Sequence, residues 1–454
     1  MSSARSDLPP RGEGEDTREI AATLDLALRV GELLLSSGAG AGDVSAAMGN
    51  VARACGVRGC TPDVTFTRLT MSQQSSPEQA ALIQVRHVRY RDIDYGDLTA
   101  VDHLLADLAS GVLDREGAAA RLNTITSTGH SRPPWSVSLA LAFMGAGIGM
   151  VLGGDWTVVL VASGASVTVA QLQRQMGRRR LPAFYQQVAG GLLATLIAVG
   201  VAATPSDASP SLIVSSSIVL LLAGVNFLGA VQDALTGFPV TAGARILEAF
   251  LATAGIVAGV SGGLEVAQLL GVDLGVLDPG AYSIADPAVM VAGGALASAA
   301  FAGACYAPWR SLLPIGLVAA VAIGAYAVAI DRGIGIAWSS ALAALLLGLL
   351  SYPAARAARV PALVVVAAGI APLLPGLSIY RGLTLLASDA AAGLLAMVTA
   401  AAIAIALSSG AILGEYVAQP IRREARRFEA RLAGPRLVGP LGVRAARVRR
   451  RKAG

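Results

Sequence analysis

Three charged side chains lie near one another in a part of the sequence that is otherwise apolar. They are Asp233, Arg245 and Glu248. A helix would place Arg245 and Glu248 on one face, because residues three positions apart are neighbours on a helix surface. Charges inside a membrane are costly and usually functional. An arginine can bind a carboxylate, while an acid can bind an ammonium group or carry a proton, so the cluster predicts a zwitterion site. The alternative is a structural ion pair between Arg245 and Glu248.

Two apolar segments are interrupted in a similar way, Ile218–Gly237 and Leu363–Gly382. The interrupting residues are Asn226 and Gly229 in the first segment, and Pro372, Pro375 and Gly376 in the second. Paired interruptions of this kind indicate the substrate site of a transporter. Backbone groups that a broken helix frees need polar partners within the membrane, and a cavity with substrate and water supplies them. A simple proline kink is the alternative interpretation.

Two further charges follow the second interruption, Arg381 and Asp389. Arg381 is either a long side chain that reaches the membrane surface or part of an anion site. Asp389 is its candidate partner or a proton carrier.

The composition indicates a membrane protein. Of the 454 residues, 54% are hydrophobic and 14% are charged, whereas soluble proteins average about 25% charged residues. From Pro133 onward the apolar residues form about ten segments of roughly 17–22 residues, long enough to span a bilayer. We therefore predict a polytopic α-helical membrane protein with about ten transmembrane helices.

The pattern further predicts two five-helix repeats behind a small N-terminal α/β domain. The expected divisions are a disordered N-terminus (1–18), a cytoplasmic α/β domain (19–130), a first membrane repeat (131–262), an extracytoplasmic linker (263–286), a second repeat (287–415) and a basic cytoplasmic tail (416–454). Within the α/β domain, β-strands are expected at Asp63–Met71 and Ala80–Val88. Because each repeat has an odd number of helices, the second should be inverted relative to the first.

The arginines predict the orientation. With ten helices both termini lie on one side, and that side holds nearly all the loop arginines and the basic tail. The positive-inside rule then places both termini in the cytoplasm. The net charge of +5 is accordingly attributed to anchoring at the membrane, and no nucleic-acid partner is expected.

The sequence predicts no catalytic residue, no metal site and no cofactor. The three histidines and three cysteines show no ligand spacing. The glycine-rich segment Ser36–Asp43 lacks the lysine and hydroxyl residue of a phosphate-binding loop, so it is interpreted as a turn between helices. We predict that the chain is not an enzyme and that an ion gradient drives transport.

Several segments resemble the bacterial threonine/serine exporter family, which is related to two-chain succinate exporters. The resemblance covers residues 20–415 and rests on Gly31–Val57, Val64–Ser72, Gly229–Phe250 and Ile370–Gly382. One departure is Asn226-Phe227-Leu228-Gly229, where relatives often have Pro-Gly. The resemblance implies an exporter in the bacterial plasma (inner) membrane, with a cytoplasmic N-terminal domain, ten helices and proton antiport.

The leading hypothesis is therefore secondary export of threonine, serine and similar small polar amino acids by proton antiport. Dicarboxylate (succinate) export is the alternative within transport, with Arg245 and Arg381 holding two carboxylates. A membrane-tethered enzyme or sensor acting through residues 19–130 is the alternative from another class. The expected partners are substrate, protons and the lipid bilayer, and a homo-oligomer remains open.

Overall fold

The computed structural model describes residues 13–74, 80–88, 91–129, 132–205, 208–219, 221, 224–272, 286–386 and 389–432. Most of the predicted linker and the end of the predicted tail lie outside these residues. Two boundaries differ from expectation. Helix α1 begins at Glu13, within the segment predicted to be disordered, and α16 continues to Leu432, within the predicted tail. Glutamate and arginine favour helices, so a charged sequence continues a helix once a neighbouring turn has formed it.

The N-terminal part, residues 13–129, combines four helices with a three-stranded sheet. Its elements are α1 (Glu13–Ser36), α2 (Ala41–Ala54), β1 (Cys60–Val64), β2 (Arg68–Gln73), β3 (Leu82–His87), α3 (Tyr95–Ser110) and α4 (Arg115–Thr128). The strands are antiparallel in the order β1-β2-β3. The single strand predicted at Asp63–Met71 is wrong, because a turn divides it and Val64 pairs with Leu69.

The core of the N-terminal part lies where α1 and α2 cover the sheet. Leu24, Leu28, Met48, Leu69 and Met71 are all buried there. Asp94 and Asp114 begin α3 and α4 by accepting hydrogen bonds from the backbone N–H groups of Asp97 and Gly117, as helix caps do.

The remaining helices are mostly apolar, and most of them are long. They are α5 (Pro134–Val151), α6 (Trp156–Arg178), α7 (Ala183–Ala202), α8 (Pro210–Ile218), α9 (Gly224–Leu235), α10 (Pro239–Leu269), α11 (Pro287–Ala304), α12 (Trp309–Asp331), α13 (Ile336–Ala358), α14 (Ala362–Ile370), α15 (Gly376–Leu385) and α16 (Ala390–Leu432). Within the described residues, 8 helices could cross a membrane, or 9 if the bent pair around Pro375 is one span. The chain is a multi-pass helical protein, and α8 with α9 is the candidate for the tenth span.

The first interruption differs in position from the prediction. Helix α8 ends at Ile218 and α9 begins at Gly224, so Asn226 and Gly229 lie inside α9 and do not break the helix. A glycine within a helix lowers its stability without ending it. The second interruption lies where it was expected, since α14 continues as a 3₁₀ turn (Ala371–Leu373) and α15 starts after Pro375, with a bend of 41°.

Glycines allow several helices to touch along their backbones. A Cβ atom on Gly259 of α10 would lie 2.1 Å from the Val188 carbonyl oxygen of α7, and one on Gly414 of α16 would lie 2.3 Å from the Leu345 carbonyl oxygen of α13. Gly147 of α5 and Gly293 of α11 meet in the same way. Small residues are what membrane helices need for such close packing.

Residues of the two interrupted segments belong to the same buried clusters. Tyr380 of α15 belongs to the same buried cluster as Ile213 and Ile218 of α8. Phe227 of α9 and Ile379 of α15 share a second cluster. The segments that the sequence singled out are therefore neighbours in the fold.

The glycine contact between α7 and α10 gives a testable expectation. Gly259→Ala should lower the midpoint of thermal unfolding of the detergent-purified protein, because its Cβ would collide with a backbone oxygen that cannot move alone. Overpacking of this kind costs about 1–3 kcal/mol. Gly262→Ala is the matched control on the same helix, since nothing lies within 4 Å of its Cβ position. Equal midpoints for the two variants would contradict the close packing.

Candidate functional site

A buried ion pair lies where α9 and α10 meet. Nη1 of Arg245 is 3.0 Å from Oδ2 of Asp233, and these residues are only 7% and 1% exposed. A buried charge needs a charged or hydrogen-bonding partner, because the interior solvates it poorly. The pairing joins two of the three charges that the sequence singled out.

The turn between α9 and α10 brings the pair together. The Phe238 N–H donates to the Asp233 carbonyl oxygen at 2.8 Å, and Gly237 has a φ of +94°, which glycine adopts without strain. Pro239 then starts α10. Gly229 leaves space for the guanidinium, since a Cβ there would lie 2.6 Å from Nη1 of Arg245. Gly229 thus has a role, although a different one from that predicted.

A loop from the N-terminal part closes over the ion pair. The Ala41 N–H donates to Oδ1 of Asp233 at 2.8 Å, and Nη2 of Arg245 donates to the Ala39 carbonyl oxygen at 3.3 Å. The N–H of Ala41 is at the start of α2, where unpaired amides and the helix dipole favour an anion. The segment Ser36–Asp43, interpreted from its sequence as a turn between helices, therefore also forms hydrogen bonds with the Asp233–Arg245 ion pair.

Two more charges of the N-terminal part lie near the pair. Burial raises the pKa of the Asp43 carboxyl, and repulsion by Asp233 raises it further. Burial lowers the pKa of the Arg91 guanidinium to about 10, and the positive charge of Arg245 also lowers it, while Glu248 and Asp233 oppose this shift. The electrostatic neighbourhood thus includes Arg91, which sequence reasoning missed.

Glu248 is exposed and does not form the predicted ion pair with Arg245. Within the described part of the chain, the partner of Arg245 is Asp233. The alternative interpretation, a structural ion pair between Arg245 and Glu248, is thus wrong, because the turn before α10 brings Asp233 to Arg245. Glu248 instead acts on the charge of Arg91.

The predicted residues of the second half lie around α15 and the start of α16. Pro375 and Gly376 are buried at the bend, and Pro372 is half-buried in the 3₁₀ turn. Asp389 caps α16 by accepting hydrogen bonds from the Ala391 and Ala392 N–H groups, both at 3.0 Å. Arg381 is exposed on α15. Asn226, the polar residue of the first half, is exposed on α9.

Contacts elsewhere fix the N-terminal part to the second half of the membrane helices. The Tyr95 N–H donates to the Cys305 carbonyl oxygen at 2.8 Å, between α11 and α12. The imidazole Nε2 of His103 lies 3.2 Å from the Arg359 carbonyl oxygen, at the end of α13. The N-terminal part therefore bridges both halves of the helical region.

Glu415 of α16 is another acid that sequence reasoning missed. It lies within electrostatic range of Asp43, and the visible signal was a lone acid at the end of the last apolar run. Among the described residues, no group of three or more histidine, cysteine or acidic side chains could hold a metal ion. The chemistry available here is binding of charged groups and exchange of protons.

Two family models match the chain. A family described as "Putative threonine/serine exporter" matches residues 25–267, and one described as "Threonine/Serine exporter, ThrE" matches residues 290–417. No solved structure gives a significant match.

Curated proteins are also similar. A "Probable threonine/serine exporter" of Mycobacterium tuberculosis is 34% identical over 445 residues, which cover 95% of this chain and 83% of the relative. A "Threonine/serine exporter" of Corynebacterium glutamicum is 35% identical over 90% of this chain and 85% of the relative. A "Probable succinate transporter subunit YjjP" of Escherichia coli is 23% identical over 56% of this chain and 98% of the relative. Since one family model spans more than half of the chain and both exporters align over nearly all of it, the chain belongs to the threonine/serine exporter family.

Proposed function

We propose that the chain is a secondary exporter of threonine and serine that works by proton antiport in a bacterial plasma membrane. The observation that carries the proposal is the buried Arg245–Asp233 pair at the end of an interrupted helix, in a chain of this family. Buried ion pairs in transporters mark places where a substrate or proton can replace one partner. The relatives' names supply the substrate class.

The site charges favour a zwitterion. Arg245 and Arg91 contribute two cations, Asp233 and Glu248 contribute two carboxylates, and Asp43 adds a third acid whose raised pKa favours the neutral, protonated form. An amino acid carries one charge of each sign, so it enters without adding net charge to a partly buried site. A dicarboxylate would add two negative charges, and buried charge without compensation is costly.

The acids suggest how a proton gradient could be coupled. In the proposed cycle the substrate carboxylate displaces Asp233 from Arg245, and the substrate ammonium group displaces a proton from Asp43 to the cytoplasm. Asp43 lies next to Asp233, and its raised pKa suits a group that holds and releases this proton. A proton taken up on the other side displaces the substrate there, so that proton binding and substrate binding alternate, as antiport requires.

The packing supports the two-repeat arrangement with both termini in the cytoplasm. In the first half, α7 and α9 both pack against α10, and in the second half α13 and α15 both pack against α16. In each half, therefore, the third and fourth predicted helices pack against the fifth. In a ten-span topology, the contacts at Asp233, Arg245, Cys305 and Arg359 all lie on the side with the loop arginines. The N-terminal part would then cover the cytoplasmic mouth as a gate.

Succinate export is the second candidate, and the similarity to a succinate transporter subunit favours it. Export of labelled threonine, serine and succinate from cells with and without the protein separates the two. We expect threonine and serine efflux that falls to the background level when a protonophore is added. Efflux of succinate alone would overturn the amino-acid proposal, and efflux that ignores the protonophore would overturn proton coupling.

Variants of the ion pair test the site itself. Arg245→Gln leaves the Asp233 carboxylate buried without its partner, and breaking a buried pair in this way costs about 3–5 kcal/mol. We expect low abundance and no export. The double variant Arg245→Gln/Asp233→Asn removes both charges, so its abundance in the membrane should recover while export stays absent.

Quantitative immunoblots of membranes, together with the export assay, check this expectation. Export by the double variant at the wild-type rate would show that the pair is structural only.

A further inference from the structure

Arg91 contributes only a positive charge to the site proposed above, yet one of its guanidinium nitrogens is buried and lacks a hydrogen-bond partner in the described part of the chain. Within the described residues, Nη2 of Arg91 has no hydrogen-bond partner. A buried charged donor without an acceptor costs more than an ordinary lost hydrogen bond, so native structures rarely retain one without a reason. The orphaned donor indicates a missing acceptor.

The backbone fixes Arg91 beside the loop that closes the ion pair. The Asp92 N–H donates to the Ser36 carbonyl oxygen at 2.9 Å, and the Asp94 N–H donates to the Ser37 carbonyl oxygen at 3.2 Å. Three residues after Ser36, the Ala39 carbonyl oxygen accepts from Arg245. The segment that carries Arg91 thus runs alongside the loop that contacts the membrane arginine.

The Arg91 side chain is held on one face, and its unpaired Nη2 lies at the edge of the guanidinium. Its Cζ atom lies 4.0 Å from the centre of the Phe66 ring, so the planar guanidinium stacks on an aromatic face. Stacking fixes the plane of the guanidinium and leaves the buried Nη2 without an acceptor among the described residues. Such an oriented fork suits a carboxylate, which can accept two parallel hydrogen bonds.

Arg245, by contrast, has a partner at both terminal nitrogens, because Nη1 pairs with Asp233 and Nη2 donates to the Ala39 carbonyl oxygen. A carboxylate that arrives at the covered site can bind Arg245 only after one of these partners leaves. Arg91 is a nearby cation whose Nη2 has no hydrogen-bond acceptor among the described residues. It is close enough for Arg245, Asp233 and Glu248 to influence its charge.

We propose that Arg91 is the first binding group for the substrate carboxylate, so that the N-terminal part supplies a direct ligand to the transport site. The substrate class is a small carboxylate with an ammonium group, since Glu248 is an exposed acid within electrostatic range of Arg91 and can receive the cation. This inference rests on the proposed export function, and it adds a recognition step before the carboxylate passes to Arg245.

Kinetics in inverted membrane vesicles test the proposal, because the proposed cytoplasmic side then faces the medium. Arg91→Gln should raise the KM for labelled serine uptake by about 10- to 100-fold, the loss expected for a hydrogen bond to a charged group, with Vmax nearly unchanged. Arg91→Lys keeps the charge and should recover part of the affinity, although lysine lacks the planar fork.

The matched control is Arg86→Gln in the same part of the chain. Arg86 forms ion pairs with Glu32 and Asp25 on a half-exposed surface, so its removal should leave the KM unchanged. A structural role for Arg91 predicts a different pattern, with lower Vmax and abundance in Arg91→Gln at an unchanged KM, and that result would overturn the proposal.

Direct binding separates this inference from the export function. Isothermal titration of the detergent-purified full chain with serine should give a dissociation constant that Arg91→Gln weakens by the same factor. If serine binding depends on Arg91 but the vesicles show no serine uptake, the export function is rejected and the binding site is retained. Binding that ignores Arg91, or no binding by the unaltered chain, would reject the binding site.

Discussion

The constraint on which the rest of the structure depends is the burial of one positive charge at the end of an interrupted membrane helix. Arg245 cannot remain there without compensation, since a lone buried cation is strongly unfavourable. Three features satisfy it: the turn at Gly237 that brings Asp233 within 3.0 Å, the absence of a side chain at Gly229, and the carbonyl oxygen of Ala39. Each comes from a different segment, so the ion pair joins α9, α10 and the N-terminal part.

Dense packing gives this arrangement its rigidity. The glycines of α7, α10, α13 and α16 bring helix backbones into contact, where dispersion and close fit, rather than exclusion of water, hold membrane helices together. The interrupted segments lie among these helices and share two buried clusters. Rigid helices around the two interrupted segments can hold in position a site whose charged groups exchange one partner for another.

Periodicity and composition were enough to predict a multi-pass helical membrane protein, while the site was only partly predictable. Long apolar runs define spanning helices, and Asp233 with Arg245 stood out because charge in such runs is rare. The partner of Arg245 could not be predicted, because spacing along one helix offers Glu248 as a candidate, whereas the actual contact with Asp233 crosses a turn. The strand at Asp63–Met71 was wrong because a short turn leaves little trace in an apolar pattern. The roles of Ala39, Ala41 and Arg91 could not be predicted, since backbone hydrogen bonds and contacts between distant segments have no sequence signature.

The N-terminal part holds both halves of the helical region at once, through Asp233 and Arg245 on one side and through Cys305 and Arg359 on the other. Rocking of one half against the other must therefore detach this part from at least one of them. Without substrate the N-terminal part would stay attached to both halves, because the hydrogen bonds lost on detachment are not replaced until a ligand binds. Under the proposed proton antiport, such an interlock would prevent the leak of protons that an unoccupied carrier would allow if its halves moved freely.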